Sequence, residues 1–286
     1  MSNRQPLPLS AAQVGMLLLA ALNLAVGAGL FLNAPWAAAL WPWTDQPLDR
    51  VVLSSFLVAG LGTVLWIGLS AEWGAMTGAL LDVLLFQACA AAWFGVRWWT
   101  GDVPTPNLFE PADGPAALST LGVFAAALAL MVLVELALLR AVWRIPIRDT
   151  RPADRLLIGS FGLFVVVLVI TGALLILQRP IWPWPLSEAS AALLGFLFLG
   201  SAVYFLHGLR RPGWHRMKGQ LVAFLLYDLV LAQPYLHLAD GQLSYSLNYS
   251  SLAVYWAVIL YSGGLAAYYL FLNPRTKGWR VQQRAP

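Results

Sequence analysis

The chain has 286 residues, of which 60% are hydrophobic and only 10% are charged. A soluble domain carries about 25% charged residues, so this composition excludes a protein whose whole surface faces water. Apolar runs of roughly 20 residues recur along the chain, the length that an α-helix needs to cross a hydrocarbon core of about 30 Å. We therefore predict an all-α integral membrane protein that has the lipid bilayer as its main partner.

Eight apolar segments predict eight transmembrane helices in two halves. In the first half, residues 1–145, the spans are expected at about 11–33, 51–69, 74–96 and 116–139. In the second half, residues 146–286, they are expected at about 156–178, 188–209, 219–238 and 250–272.

The positive charges predict how these spans are oriented. Fourteen of the 17 lysines and arginines fall at the two termini and in the loops after the fourth and sixth spans; only Arg50, Arg97 and Arg179 fall on the other side. Basic residues in short loops stay on the cytoplasmic side. We therefore expect a multi-pass cell-membrane protein with both termini in the cytoplasm. Because the charge excess follows this pattern, it does not indicate binding to nucleic acid.

A short aromatic loop occurs twice and indicates an internal duplication. Trp41-Pro42-Trp43 follows the first span and Trp182-Pro183-Trp184 follows the fifth, so both loops are expected outside the cell. Further matches occur in the same order in both halves. The first half has Gly27-Ala28, Asn33 and Pro35, then Phe56, Gly60, Gly68 and Leu69, then Asp82 and Gln87. The second half has Gly172-Ala173, Gln178 and Pro180, then Phe196, Gly200, Gly208 and Leu209, then Asp228 and Gln233. Because each half has an even number of spans, the two four-helix repeats should run parallel.

This layout, with Trp-Pro-Trp after the first helix of each four-helix unit, loosely resembles uncharacterised bacterial integral membrane proteins. The resemblance covers most of the chain and implies no activity.

Asp82 and Asp228 are the sharpest candidate site residues. A carboxylate near the middle of a span costs roughly 2.5–3.5 kcal/mol to insert, and such groups usually face the helix bundle. Asp82 follows Gly74 and Gly78 at steps of four, and a Gly-x-x-x-Gly face allows close helix packing, so Asp82 should point at a neighbouring helix. Two interpretations remain open: a proton or cation site near the axis between the halves, or protonated aspartates that hydrogen-bond between helices.

The other candidates are weaker. Gln87 and Gln233 lie five residues beyond the aspartates, a step that turns about 140° around a helix, so they should not share the faces of the aspartates. Glu135, near the inner end of the fourth span, is expected to reach water or an arginine at the interface. The Trp-Pro-Trp loops should form part of an interfacial aromatic belt or, alternatively, an aromatic mouth for an apolar or cationic ligand.

The sequence contains no P-loop, His-Glu-x-x-His, Gly-x-Ser-x-Gly or Cys-x-x-Cys motif, and these are the patterns that carry well-known catalytic chemistry. We therefore predict no catalytic residue, cofactor or metal. The first functional hypothesis is a structural or accessory subunit that packs with membrane proteins or with a second copy of itself. The second is a small-solute or proton- or cation-coupled transporter or channel using Asp82 and Asp228. The third is an intramembrane enzyme that modifies lipid.

Overall fold

A computed structural model describes residues 11–38, 47–102, 115–147, 149, 151–238 and 247–276. Within these ranges the chain is helical, and the strand-like contact described there is an isolated bridge between Pro152 and Gly213. The loop Trp41-Pro42-Trp43 and the side chain of Gln233 lie outside the described part of the chain.

The helices follow the predicted spans closely, because apolar runs bounded by prolines and polar links define them. In chain order they are α1 (Ala11–Phe31), the short α2 (Pro35–Ala38), α3 (Pro47–Ser70), α4 (Met76–Thr100), α5 (Pro115–Val142), α6 (Arg155–Ile176), α7 (Glu188–Arg210), α8 (Trp214–Leu238) and α9 (Tyr249–Ala267). A 3₁₀ turn at Trp73–Ala75 precedes α4, and a π-helical turn at Tyr268–Leu272 follows α9.

Seven of these helices are long and apolar enough to cross a membrane, so the fold is that of a multi-pass membrane protein. The eighth long helix, α8, corresponds to the predicted span at 219–238 but is not among the seven found in the described residues. It carries His215, Arg216 and Lys218 in its first turns and Asp228 near its middle, and these residues lower its apolar character.

The first helix of each half ends in the same unusual backbone conformation. Asn33 and Gln178 both adopt a left-handed conformation, with φ of 53° and 56°. The amide N–H of the next residue then donates to a carbonyl five residues back, from Ala34 to Gly29 and from Arg179 to Leu174. Few residues other than glycine adopt this conformation, and helices often use it to satisfy their last carbonyl groups.

The long helices pack in pairs that recur in the two halves. α1 packs on α3 as α6 packs on α7, and α4 packs on α5 as α8 packs on α9. Between the halves, α3 packs on α8 and α4 packs on α7. The second and third long helices of each half therefore contact the third and second long helices of the other.

One end of the bundle, called the Trp182 end, holds the link between α6 and α7. There Trp184 Nε1 donates to Asp49 Oδ1 over 2.9 Å, which joins this link to α3. Arg97 at the end of α4 forms an ion pair with Glu188 at the start of α7. These contacts hold the first and second halves together at the Trp182 end.

The opposite end, called the Asp149 end, holds the link between the halves. Asp149 lies 2.6 Å from Arg151 and 2.9 Å from His215 Nδ1. Although burial opposes its ionisation, hydrogen bonds from Arg151 and the nearby His215 keep the pKa of Asp149 below its usual range. His215 and Lys218 are both buried at this end of the bundle, where Asp149 lies against His215.

Candidate functional site

A cavity of about 570 Å³ lies among α3, α4, α6, α7, α8 and α9. Small-molecule sites in proteins typically have volumes of about 300–1,000 Å³. The cavity extends from Trp182 and Pro183, at the Trp182 end, to Thr63 and Gln220, in the half of the bundle nearer the Asp149 end. A second concavity of about 810 Å³ follows the surface of α5 alone, from Leu136 to Arg144, and a single helix cannot enclose a ligand.

Ten aromatic side chains line the cavity. The rings of Phe56 and Tyr227 lie edge to face with centroids 5.1 Å apart, and those of Trp182 and Tyr255 lie 5.2 Å apart in the same way. Edge-to-face pairs stabilise one another beyond the area they bury. The lining aromatic residues come from both halves of the chain: Phe56, Phe86, Phe164, Trp182, Phe198, Tyr204, Phe205, Phe224, Tyr227 and Tyr255.

The second aromatic loop therefore does not lie at the surface. Trp182 and Trp184 are buried, with 6% and 3% of their surfaces exposed. The interfacial belt interpretation is wrong for these two tryptophans, because the loop folds back onto α3 and α9. Pro183 accepts a hydrogen bond at its carbonyl from the Asn248 amide over 2.9 Å, which fixes the loop against the start of α9.

Polar side chains gather at the end of the cavity that lies nearer the Asp149 end of the bundle. Asp82 on α4 lies there, with Ser201 Oγ on α7 donating to its Oδ2 over a long 3.5 Å contact. Tyr204 on α7 is only 3% exposed and its hydroxyl has no hydrogen-bond partner; Gln220 on α8 is 5% exposed and its Nε2 has none. A buried polar atom without a partner costs about 1–3 kcal/mol, so two such groups beside one cavity indicate a site prepared for a ligand.

Glycines allow these side chains to approach. A Cβ on Gly78 would lie 2.6 Å from the Tyr204 ring, and a Cβ on Gly219 would collide with the Tyr204 hydroxyl. A Cβ on Gly200 would lie 2.6 Å from the backbone oxygen of Asp82. The ring is thus held between glycines of α4 and α8, and Asp82 rests directly on α7. Gly78 and Asp82 therefore share a face of α4 that packs on α7, whereas Gly74 lies in the preceding 3₁₀ turn and packs on Ile145 and Pro146.

Asp228 has different surroundings. It is 6% exposed, its Oδ2 accepts from Ser262 Oγ on α9 over 2.8 Å, and its Oδ1 has no hydrogen-bond partner. Asp228 is not among the described residues that line the cavity, whereas Ser262 is. The two aspartates that the sequence pairs are therefore not brought together in one site.

Glu135 and Gln87 are buried in the first half. The expectation that Glu135 reaches water or an arginine is wrong, because α5 packs on α4 and turns this side chain inward. Its carboxyl lies within electrostatic range of Asp82. Gln87 is also buried but does not line the cavity, which agrees with its position about 140° around the helix from Asp82.

Sequence reasoning missed Ser201, Tyr204, Gln220 and Ser262. Each is a single uncharged polar residue in an apolar helix, and such residues are common in membrane spans. A signal was present for Tyr204, which lies four residues from both Gly200 and Gly208 on one helix face. Gln220 directly follows Gly219, which gives the Tyr204 hydroxyl its space.

No protein-family model, curated protein or solved structure matches this chain. In the part of the chain that the structure describes, no group of three or more His, Cys, Asp or Glu residues could hold a metal ion. The chemistry of the site is therefore inferred from its own geometry.

Proposed function

We propose that this protein is a membrane transporter that binds a small organic solute in the cavity between its halves. The observation that carries the proposal is a cavity among helices of both halves whose end nearer the Asp149 end presents Asp82, the Tyr204 hydroxyl and the Gln220 amide. Ionisable residues inside a membrane usually face the bundle interior or a water-filled cavity on a substrate path. Asp82 supplies such a group, while Asp228 stabilises the packing of α8 on α9.

The proposal includes eight spans arranged as two parallel repeats, with α8 as the span whose polar residues face the bundle. Three observations support the duplication: the left-handed Asn33 and Gln178, the recurring pairs of helices, and the reciprocal contacts of α3 with α8 and α4 with α7. Transporters built from repeats bind their substrates at the interface between those repeats. The cavity lies where the two proposed repeats, 1–145 and 146–286, meet.

The orientation that we propose places both termini in the cytoplasm and the Trp182 end outside. The charge distribution of the loops supports it. With this orientation, the cavity extends inward from the outer aromatic loop, and Asp82 lies nearer the cytoplasmic side.

Cysteine labelling tests whether the cavity is reached from water. In a Cys89→Ser background, Ala59→Cys places a thiol in the cavity wall, and Ala90→Cys places one in the packed contact of α4 with α7. A membrane-impermeant trimethylammonium methanethiosulfonate should label the thiol at 59 from outside and leave the thiol at 90 unlabelled. In inverted vesicles, the same reagent tests whether position 59 is also reached from the cytoplasmic side.

Failure to label position 59 from either side would contradict the transporter proposal. It would favour the second candidate, an accessory subunit that packs with partner membrane proteins or a second copy. The observation that favours this candidate is α5, which packs mainly on α4 and exposes an apolar face that includes Val123, Leu130 and Leu133.

A further inference from the structure

We infer that the solute bound in this cavity is an organic cation with an apolar body, whose charged group lies at Asp82. The inference rests on the proposed function, because it assigns a substrate class to the same cavity. It is carried by the kind of ionisable group that lines the cavity, by the chemistry of the cavity walls and by the position of the polar groups.

Among the described residues, the cavity lining includes a carboxyl group and no basic side chain. Asp82 is the one carboxyl among the described lining residues, and none of those residues is lysine, arginine or histidine. Glu135 adds a second carboxyl within electrostatic range of Asp82. The nearby base on α8, Lys218, turns toward the Asp149 end, with its Nζ 6.0 Å from the Trp66 ring centroid and 5.9 Å from the Trp214 ring centroid.

The aromatic walls also favour a cationic ligand. The faces of aromatic rings attract cations, and the attraction grows where water is excluded. Rings from both halves, including Phe56, Phe198, Phe224 and Tyr227, surround the space above Asp82. An anion of equal size would lose its hydration without finding a basic partner, and this unpaired state is the kind of penalty that produces specificity.

The polar groups set the orientation of the ligand. The end of the cavity nearer the Asp149 end holds Asp82, Ser201, Tyr204 and Gln220. The other end is lined by Ile181, Trp182 and Val254, together with the serines at the start of α9. The cationic end of the ligand should therefore point toward the Asp149 end, with its apolar body toward Trp182. The Gln220 Nε2 group is a free donor, so it can bind an acceptor oxygen on the ligand.

Two ions of nearly the same shape and opposite charge test the assignment. Binding of radiolabelled tetraphenylphosphonium and of tetraphenylborate is measured on the full chain in lipid nanodiscs, with protein-free nanodiscs subtracted for partition into lipid. We expect saturable binding of the cation and at least about tenfold weaker binding of the anion. Asp82→Asn should weaken cation binding by roughly tenfold, which corresponds to about 1.4 kcal/mol, without weakening anion binding.

Asp228→Asn is the matched control, because it makes the same change at the corresponding position of the other half, away from the cavity wall. It should leave the ratio of cation to anion affinity unchanged. Thermal unfolding of both variants checks that each one is folded.

Equal saturable binding of the two ions, or cation binding that Asp82→Asn does not change, would overturn the cation assignment and leave the cavity as a solute site. Absence of saturable binding of both ions would also overturn the assignment. The labelling of position 59 decides separately whether the transporter proposal falls with it, because that reaction reports access to the cavity and not its selectivity.

Discussion

Asp82 and Asp228 hold corresponding positions in the two halves of the sequence, yet they serve different interfaces. Asp82 rests on Gly200 of the other half and faces the cavity. Asp228 turns toward α9 of its own half, where it accepts a hydrogen bond from Ser262. The surroundings, and not the residue type, decide that one carboxyl faces the cavity and the other a contact between two helices.

The difference originates at a pair of glycines. If the halves were related by perfect symmetry, Gly60 on α3 would receive Asp228 as Gly200 on α7 receives Asp82. A Cβ on Gly60 would instead meet nothing within 4 Å, and Gly60 lines the cavity. The close approach of α3 to α8 occurs half a turn further along, where a Cβ on Gly62 would lie 2.5 Å from Leu226. The cavity thus occupies space beside Gly60 on α3, whereas the corresponding space beside Gly200 on α7 is filled by Asp82 of α4.

The largest effect on stability is expected when Gly200 and Gly60 are each replaced by alanine. Gly200→Ala should destabilise the fold by about 1–3 kcal/mol, the usual cost of overpacking, because the added methyl group meets the backbone of Asp82. Gly60→Ala should be neutral or slightly stabilising, because alanine favours a helix by up to about 1 kcal/mol over glycine. Unfolding in detergent, followed by circular dichroism, measures both. Equal losses of stability would mean that the two interfaces are alike.

Removal of the serine hydroxyl groups that contact the two aspartates should have an intermediate effect on stability. Ser262→Ala removes the 2.8 Å hydrogen bond to the buried Asp228, so it should cost about 1–2 kcal/mol, near the upper range for hydrogen bonds between membrane helices. Ser201→Ala removes only a 3.5 Å contact to Asp82 and should cost less than about 0.5 kcal/mol, since hydrogen bonds of that length are weak. The same unfolding experiment compares them, and a larger loss at Ser201 would reverse the assignment of roles.

The smallest expected effect is a gain in the stability of the fold when the Tyr204 hydroxyl is removed. Tyr204→Phe removes a buried hydroxyl that has no partner, so it should stabilise the fold by up to about 1 kcal/mol while weakening ligand binding. Tyr227→Phe, the control beside Asp228, removes a hydroxyl that shares a 3.4 Å hydrogen bond with Tyr255 and should not stabilise. A loss of stability in Tyr204→Phe would show that its hydroxyl already has a structural partner.

The positions of the helices follow from the sequence alone, because long apolar runs have one stable arrangement in lipid. The span expected at 188–209 is the helix Glu188–Arg210, and the one at 156–178 is Arg155–Ile176. The π-helical turn that closes the last span is not visible in the residue pattern.

The site could not be predicted, because it depends on how far helices shift along one another. Composition cannot show that Gly62, and not Gly60, meets α8, and this shift opens the cavity. Glu135 was expected near water because it lies close to an arginine in the chain. It is buried because α5 packs on α4.

The least apolar of the eight long helices also lines the cavity, and this has a consequence for biosynthesis. α8 supplies Gln220, Phe224 and Tyr227 to the wall and closes it against α3. The ribosome makes α8 next to last among the long helices, so α3, α4, α6 and α7 are already in the bilayer when it emerges. We expect its insertion to depend on those helices, which offer its polar side chains protein partners in place of lipid. The cavity then forms only after α8 and α9, which both line it, have joined the helices made before them.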